Sequence, residues 1–115
     1  MSSPSGQQAS HLLRQLDQEH SFLFYNDIDD YTGVSAKSLE EFLDRLQTIG
    51  MRSIQFHAGR GDFENWVHML GDNWLAQQLK KEARSGMMGE ELRTRLVETV
   101  KTRCEILKSR LAETR

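Results

Sequence analysis

Residues 62–72 read DFENWVHMLGD, and they give the clearest indication of how this chain folds. Asp62 stands where a helix N-cap is expected, Gly71 stands where that helix should end, and Asp72 can cap a following helix. The apolar residues between them recur at positions i, i+3, i+4 and i+7, which is the spacing of one helix face. These residues are Phe63, Trp66, Val67 and Leu70. The stretch therefore predicts a helix followed directly by a second one.

Similar signals predict helices on either side. Ser38, with Glu41 three residues later, has the pattern of a capping box and opens a helix that ends at Gly50. A short helix over residues 52–58 should end at the glycine-rich turn of residues 59–61. The other helices are expected over residues 8–19, 72–83 and 90–115.

The aromatic run FLFY opens residues 22–28 and favours an extended backbone. No clear partner strand follows, and a lone strand leaves its backbone groups unpaired. We therefore expect an extended aromatic segment packed on helices, before an acidic loop that Gly33 closes. With a flexible tail over residues 1–7, the sequence predicts one all-α domain over residues 8–115, a compact bundle of five or six helices with a long C-terminal helix.

The composition is that of a globular domain, with 37% hydrophobic and 28% charged residues among 115. The net charge of −2 combines two unequal parts. Residues 1–74 carry five basic and eleven acidic residues, whereas residues 75–115 carry ten basic and six acidic ones. This balance excludes a histone-like nucleic-acid binder, and the apolar runs are too short to span a membrane. Cys104 is the only cysteine, so no internal disulfide can form, which fits a cytoplasmic location.

The basic C-terminal helix favours contact with a protein more than with nucleic acid. Acidic residues are interleaved with its bases, and no row of aromatic residues accompanies them as in single-strand binders. The helix is longer than a domain of this size needs, so its apolar stripe could extend to a homodimer or a protein partner. The residues of this predicted interface are Met87, Met88, Leu92, Leu96, Val100, Leu107 and Leu111. Alternatively, the helix folds back and completes the core.

Several short motifs together resemble a small prokaryotic domain family of unknown function. They are SLEEF at residues 38–42, SIQFH at residues 53–57, RGDFENW at residues 60–66 and LGD at residues 70–72. The resemblance covers roughly residues 22–107, and it implies a small, mostly helical domain with no activity to transfer. One departure is Ala58-Gly59 after His57, where relatives are expected to carry bulkier or charged residues.

The densest group of polar side chains lies within residues 57–66, around a turn flanked by glycines. A turn beside a helix N-terminus exposes backbone N–H groups and is typical of an anion site. Arg60 could clamp a phosphate or carboxylate, Gly61 and Asp62 would offer backbone N–H groups, and Trp66 would form an apolar wall. His57 would add a hydrogen bond that changes near neutral pH. The alternative is structural: Asp62 caps its helix, Arg60 pairs with an acid, and His57 donates to a carbonyl.

The sequence thus favours a non-catalytic binding or regulatory accessory module that recognises a protein partner or a small anion at this turn, near the aromatic segment of residues 22–25. It predicts no cofactor. One alternative is a small hydrolytic or metal-assisted enzyme in which His57 is the base and Asp62 or Glu64 orients it. Another is a purely structural oligomerisation domain.

Other combinations of residues are weaker signals, and no metal site is predicted. Glu64 and His68 share a helix face, but the remaining histidines are dispersed and no His-Glu-x-x-His motif occurs. The aspartates of residues 27–30 lack the glycine and glutamate that an EF-hand loop needs. Cys104 lies on the apolar stripe of the last helix and is expected to be inert.

Overall fold

The computed structural model describes residues 4–113, which form six α-helices, one 3-10 helix and a two-stranded sheet. The helices are α1 (Gly6–Leu12), α2 (Leu39–Thr48), α3 (Met51–Arg60), α4 (Asp62–Leu70), α5 (Asn73–Ala83) and α6 (Gly89–Glu113). The 3-10 helix (Gln18–His20) precedes strands β1 (Phe22–Asp27) and β2 (Asp30–Ala36). Within these residues, no helix combines the length and apolar character needed to cross a bilayer.

The prediction of an all-α fold is wrong, because the aromatic segment has a partner strand. β1 and β2 form an antiparallel hairpin in which Asp27 lies opposite Asp30 across the two-residue turn Ile28-Asp29. The register shifts between Phe24 and Tyr25, so the ladder is irregular in its middle. The aspartates and glycine of residues 29–33 predict an acidic loop, but the backbone from Asp30 onward pairs with β1 as a strand.

The side chain of Thr32 stabilises the irregular part of the hairpin with two hydrogen bonds. The hydroxyl of Thr32 donates to the carbonyl of Phe24 at 2.7 Å, and it accepts the N–H of Val34 at 3.1 Å. Gly33 lies between them with φ of +86°, in the region that favours glycine. Thr32 and Gly33 have no partner residue in β1, and these side-chain hydrogen bonds replace the backbone hydrogen bonds between the strands that are missing there.

Phe22 and Phe24 alternate along β1 and both point into the core, where they join aromatic residues of the helices. Phe22 lies at the centre of this cluster. Its ring centroid is 5.4 Å from Phe42 of α2, 5.4 Å from Phe63 of α4 and 5.8 Å from Trp66 of α4. These edge-on and tilted contacts hold the hairpin against the helices.

The ends of two helices differ from prediction. α1 begins at Gly6, inside the predicted tail of residues 1–7, because Ser5 and Gln8 form a capping box. It ends at Leu12 and does not continue to residue 19. α3 continues through Gly59 to Arg60 and ends where Gly61 takes the left-handed conformation. Residues 1–3 of the predicted tail lie outside the described part of the chain.

α6 folds back along the domain and packs against α1, α2 and α5. Four of the seven predicted interface residues are therefore core residues: Leu92, Leu96, Val100 and Leu107. Met87 and Leu111 are half-buried, and Met88 is exposed. The apolar stripe of α6 faces this domain's own core and leaves no continuous exposed seam.

A buried ion pair joins α6 to the start of α5. Arg103 donates from Nε to Asp72 Oδ2 at 2.7 Å and from Nη2 to Asp72 Oδ1 at 2.9 Å, and both side chains are 2% exposed. Asp72 also accepts the N–H of Leu75 at 3.1 Å, as the predicted N-cap of α5. The Arg103 guanidinium lies 4.9 Å from the Trp74 ring. One carboxylate thus caps a helix and neutralises a buried cation.

We expect Asp72→Asn to destabilise the domain strongly. Asparagine still caps a helix, but it removes the carboxylate charge that Asp72 places against the buried Arg103 cation, which costs about 3–5 kcal/mol. The matched control is Asp27→Asn, which breaks the exposed pair with Arg52 and should cost less than about 1 kcal/mol. Urea unfolding of the three proteins measures the difference, and equal losses in both variants would contradict a structural role for the buried pair.

Candidate functional site

A hollow of about 310 Å³ lies between β1 and α3. Its walls are mostly apolar, and its polar groups lie at the end of α3 and the start of α4. The lining residues are Phe22, Leu23, Tyr25, Ile28, Phe56, His57, Arg60 and Asp62. Three of the predicted site residues, His57, Arg60 and Asp62, therefore meet at one hollow.

His57 is buried and connects three elements. Its Nε2 atom accepts the backbone N–H of Tyr25 in β1 at 2.8 Å. Its Nδ1 atom lies 2.8 Å from Asp62 Oδ2 in α4. Because Nε2 accepts a hydrogen bond, the single ring proton lies on Nδ1 and is donated to Asp62. The imidazole is neutral, and both of its nitrogens are used within the domain.

The surroundings of His57 favour this neutral form. Burial lowers the pKa of the imidazole below its ordinary value of 6.5, the hydrogen bond and charge of Asp62 oppose that change, and the charge of Arg60 adds to it. A second ring proton would also point at the N–H of Tyr25. The prediction of a hydrogen bond that changes near neutral pH therefore needs correction, since His57 takes up a proton only below its ordinary range.

Arg60 and Asp62 form the polar rim of the hollow. Arg60 Nε donates to Asp62 Oδ2 at 3.1 Å, and the guanidinium lies 5.0 Å from the ring centroid of Phe56. The side chain of Arg60 remains about half exposed. Asp62 is the first residue of α4 and not its N-cap, a position that Gly61 occupies. The Asp62 carboxylate therefore binds His57 and Arg60 where the sequence predicted a cap.

Two predicted site residues do not line the hollow. The N–H of Gly61 is donated to the carbonyl of Ala58, which closes α3, so it is not directed at a ligand. Trp66 is 8% exposed, and its Nε1 donates to the carbonyl of His20 at 2.8 Å. Trp66 is thus a core residue, as its place on the apolar face of α4 indicated.

Tyr25 and Phe56 also line the hollow. The sequence places the site near the aromatic segment that contains Tyr25, but it does not predict Phe56. The only sequence signal for Phe56 was its aromatic character beside His57, because Phe56 and Tyr25 are about thirty residues apart in the sequence. The sequence also did not predict the burial of Arg103, which it groups with the other basic residues of the last helix. Its position had a signal: Arg103 falls on the α6 stripe between Val100 and Leu107, where an apolar residue is expected.

The described residues contain no group of three or more His, Cys, Asp or Glu side chains arranged to hold a metal ion. Glu64 pairs with Arg84 at 3.3 Å, and His68 is exposed on α4. Burial raises the pKa of the Cys104 thiol to about 12, so it stays protonated and unreactive at neutral pH.

We expect His57 to make the stability of the domain depend on pH. Its pKa is lower in the folded chain than in the unfolded chain, so the unfolded chain takes up the proton first. The contribution of His57 is complete above a pH of about 6.5, and it is lost as the pH falls, by at most about 1.4 kcal/mol per pH unit.

Chemical unfolding at a series of pH values between about 7.5 and 5 tests this expectation. His57→Gln should flatten the dependence, since its carboxamide does not titrate, although the variant is less stable throughout. The matched control, His68→Gln, changes an exposed histidine and should keep the wild-type slope. An unchanged slope in His57→Gln would rule out the assigned role of this imidazole.

Comparison with known proteins identifies a family and no activity. Neither the curated proteins nor the solved structures provided a match. Residues 5–101 match a family described as a family of unknown function (DUF5752), and the match extends from α1 through about half of α6. The resemblance noted in the sequence to a family of unknown function is thereby confirmed. The chain belongs to the DUF5752 family.

Proposed function

We propose that this chain is a non-catalytic binding domain whose ligand occupies the hollow between β1 and α3. The observation that carries the proposal is that both nitrogens of His57 are used internally, by Tyr25 and Asp62. A general base needs a free lone pair directed at its substrate, and this imidazole has none. The site is therefore built to hold a molecule and not to move its protons.

The walls and rim of the hollow indicate the chemistry of the ligand. Tyr25, Ile28 and Phe56 offer apolar surface, and Ile28 is 70% exposed at the hairpin turn. Arg60 uses Nε for Asp62, so the two terminal nitrogens of its half-exposed guanidinium can bind a carboxylate or phosphate. An apolar group joined to an anion fits both features. Such a group can belong to a small molecule or to an acidic segment of a partner protein.

Amide NMR shifts with two probes test the proposal. We expect phenylacetate, or a short peptide with adjacent phenylalanine and aspartate, to shift the amides of β1 and of residues 56–62. Arg60→Gln should weaken this binding about tenfold, because it removes a charge-assisted hydrogen bond. The matched control is Arg95→Gln, which replaces an exposed arginine of α6 and should leave the affinity unchanged.

The two probes also separate the sources of the ligand. Shifts with both probes would support a small-molecule site, and shifts with the peptide alone would support a protein partner. No shift in β1 or α3 with either probe at about 10 mM would overturn the proposal.

An enzyme is the second candidate, and one observation favours it. The 2.8 Å contact between His57 Nδ1 and Asp62 has the form that orients a catalytic histidine. Catalysis would require Tyr25 to release Nε2, so that the hairpin edge moves away from α3. Ester hydrolysis by the wild-type protein that disappears in His57→Gln, but not in His68→Gln, would favour the enzyme over the binding domain.

We also propose that this is a cytoplasmic protein of a prokaryote. A lone, buried and unreactive Cys104 is consistent with a reducing compartment. Most of the apolar residues of α6 are core residues of this domain, which does not favour oligomerisation through this helix.

A further inference from the structure

A second and larger hollow, of about 720 Å³, lies between α1 and the junction of α4 with α5. It shares no residue with the hollow beside His57. Its lining residues are Pro4, Gln7, Gln8, His11, Leu12, Gly71, Asp72, Asn73, Trp74 and Arg103. A volume of this size accepts a small organic molecule of about nucleoside size.

Contacts between α1 and the end of α4 hold the walls of this second hollow in place. Arg14 donates from Nη1 to the carbonyls of Leu70 and His11, both at 2.8 Å, which ties the end of α1 to the end of α4. Gly71 takes φ of +112° at the junction, and a Cβ there would lie 3.4 Å from the Leu12 side chain. α1 therefore packs directly on the junction, and these contacts fix the walls of the hollow.

The floor of the second hollow is electrically neutral. Asp72 and Arg103 are the only Asp, Glu, Lys or Arg residues among its described lining residues, and they neutralise each other through two hydrogen bonds. An anionic ligand would compete with Asp72 for a guanidinium that is almost completely buried. A cationic ligand would compete with Arg103 in the same way. The hollow therefore favours a molecule without net charge.

The walls combine an aromatic surface with side-chain amides. The Trp74 ring, which the Arg103 guanidinium contacts, lines the hollow together with the apolar Leu12 and Pro4. Three amide side chains lie around them: Gln7, Gln8 and Asn73. An aromatic surface binds a flat ring, and a carboxamide donates and accepts hydrogen bonds at once.

We propose that this second hollow binds a neutral, planar heteroaromatic molecule with an amide-like edge, such as a nucleobase or a nucleoside. The ring would lie against Trp74, and its donor and acceptor groups would meet the amides of Gln7 and Asn73. Gln8 would contribute only its Nε2, because its Oε1 accepts the N–H of Ser5. Among the described lining residues there is no lysine, and the one arginine is paired with Asp72. The ligand is therefore a free base-containing molecule and not a nucleic acid, whose phosphates need cationic partners.

Tryptophan fluorescence tests this proposal directly. In a Trp66→Phe background, Trp74 is the only tryptophan, so its emission reports the second hollow alone. The probes are adenosine, guanosine, cytidine, uridine and nicotinamide, and we expect at least one to change the emission saturably at concentrations up to about 1 mM. The same probes should shift the amides of residues 7–12 and 71–74 in the wild-type protein, which keeps the test valid if the variant is unstable.

A matched pair of glutamine variants locates the binding. Gln7→Ala should weaken it about fivefold to tenfold through the loss of a hydrogen-bonding amide. Gln77→Ala, on an exposed part of α5 outside the hollow, should leave it unchanged. A 5′-monophosphate should bind no more tightly than its nucleoside. The proposal is overturned if none of the probes binds, if both glutamine variants bind equally, or if the monophosphate binds more than about tenfold tighter.

Discussion

The packing of the hairpin against α3 and α4 depends on the hydrogen bonds of one neutral imidazole, that of His57. This imidazole accepts the backbone N–H of Tyr25, donates to Asp62 and contacts the ring of Phe22 at 4.8 Å. These contacts join the hairpin to α3 and α4. They also terminate the sheet, because the outward N–H of β1 bonds to a side chain and not to a third strand. The same two bonds leave the imidazole without a lone pair for catalysis.

The second anchoring contact is the buried ion pair between Asp72 and Arg103. Asp72 caps α5 and pairs with Arg103 of α6, so the junction of α4 and α5 is attached to the long helix. A buried ion pair of this kind contributes little to stability beyond what an apolar pair would, but losing either partner is costly. It sets where α6 lies, and it forms the neutral floor of the larger hollow.

Much of the helical part could be predicted from local patterns. The Ser38 and Asp72 caps, the apolar face of α4 and the burial of Cys104 are as expected, because capping and amphipathic spacing act within a few residues. The hairpin was missed because its second strand is polar and is stabilised by pairing with β1. In the candidate site, His57, Arg60 and Asp62 were expected together, since they are close in sequence. The aromatic segment that contains Tyr25 was expected near them, but Phe56 was not, since only the tertiary structure shows that it faces the hollow.

Short-range signals therefore specify which segments become helices, where most of them begin and end, and that one turn gathers three polar residues. The tertiary structure alone decides which of these side chains remain available to a ligand. The side chain of Trp66 is buried in the core, and the N–H of Gly61 bonds to the last turn of α3. Arg103 is buried and paired with Asp72. The physical reason is that burial and hydrogen-bond partners depend on residues far apart in sequence, whose proximity no local pattern records.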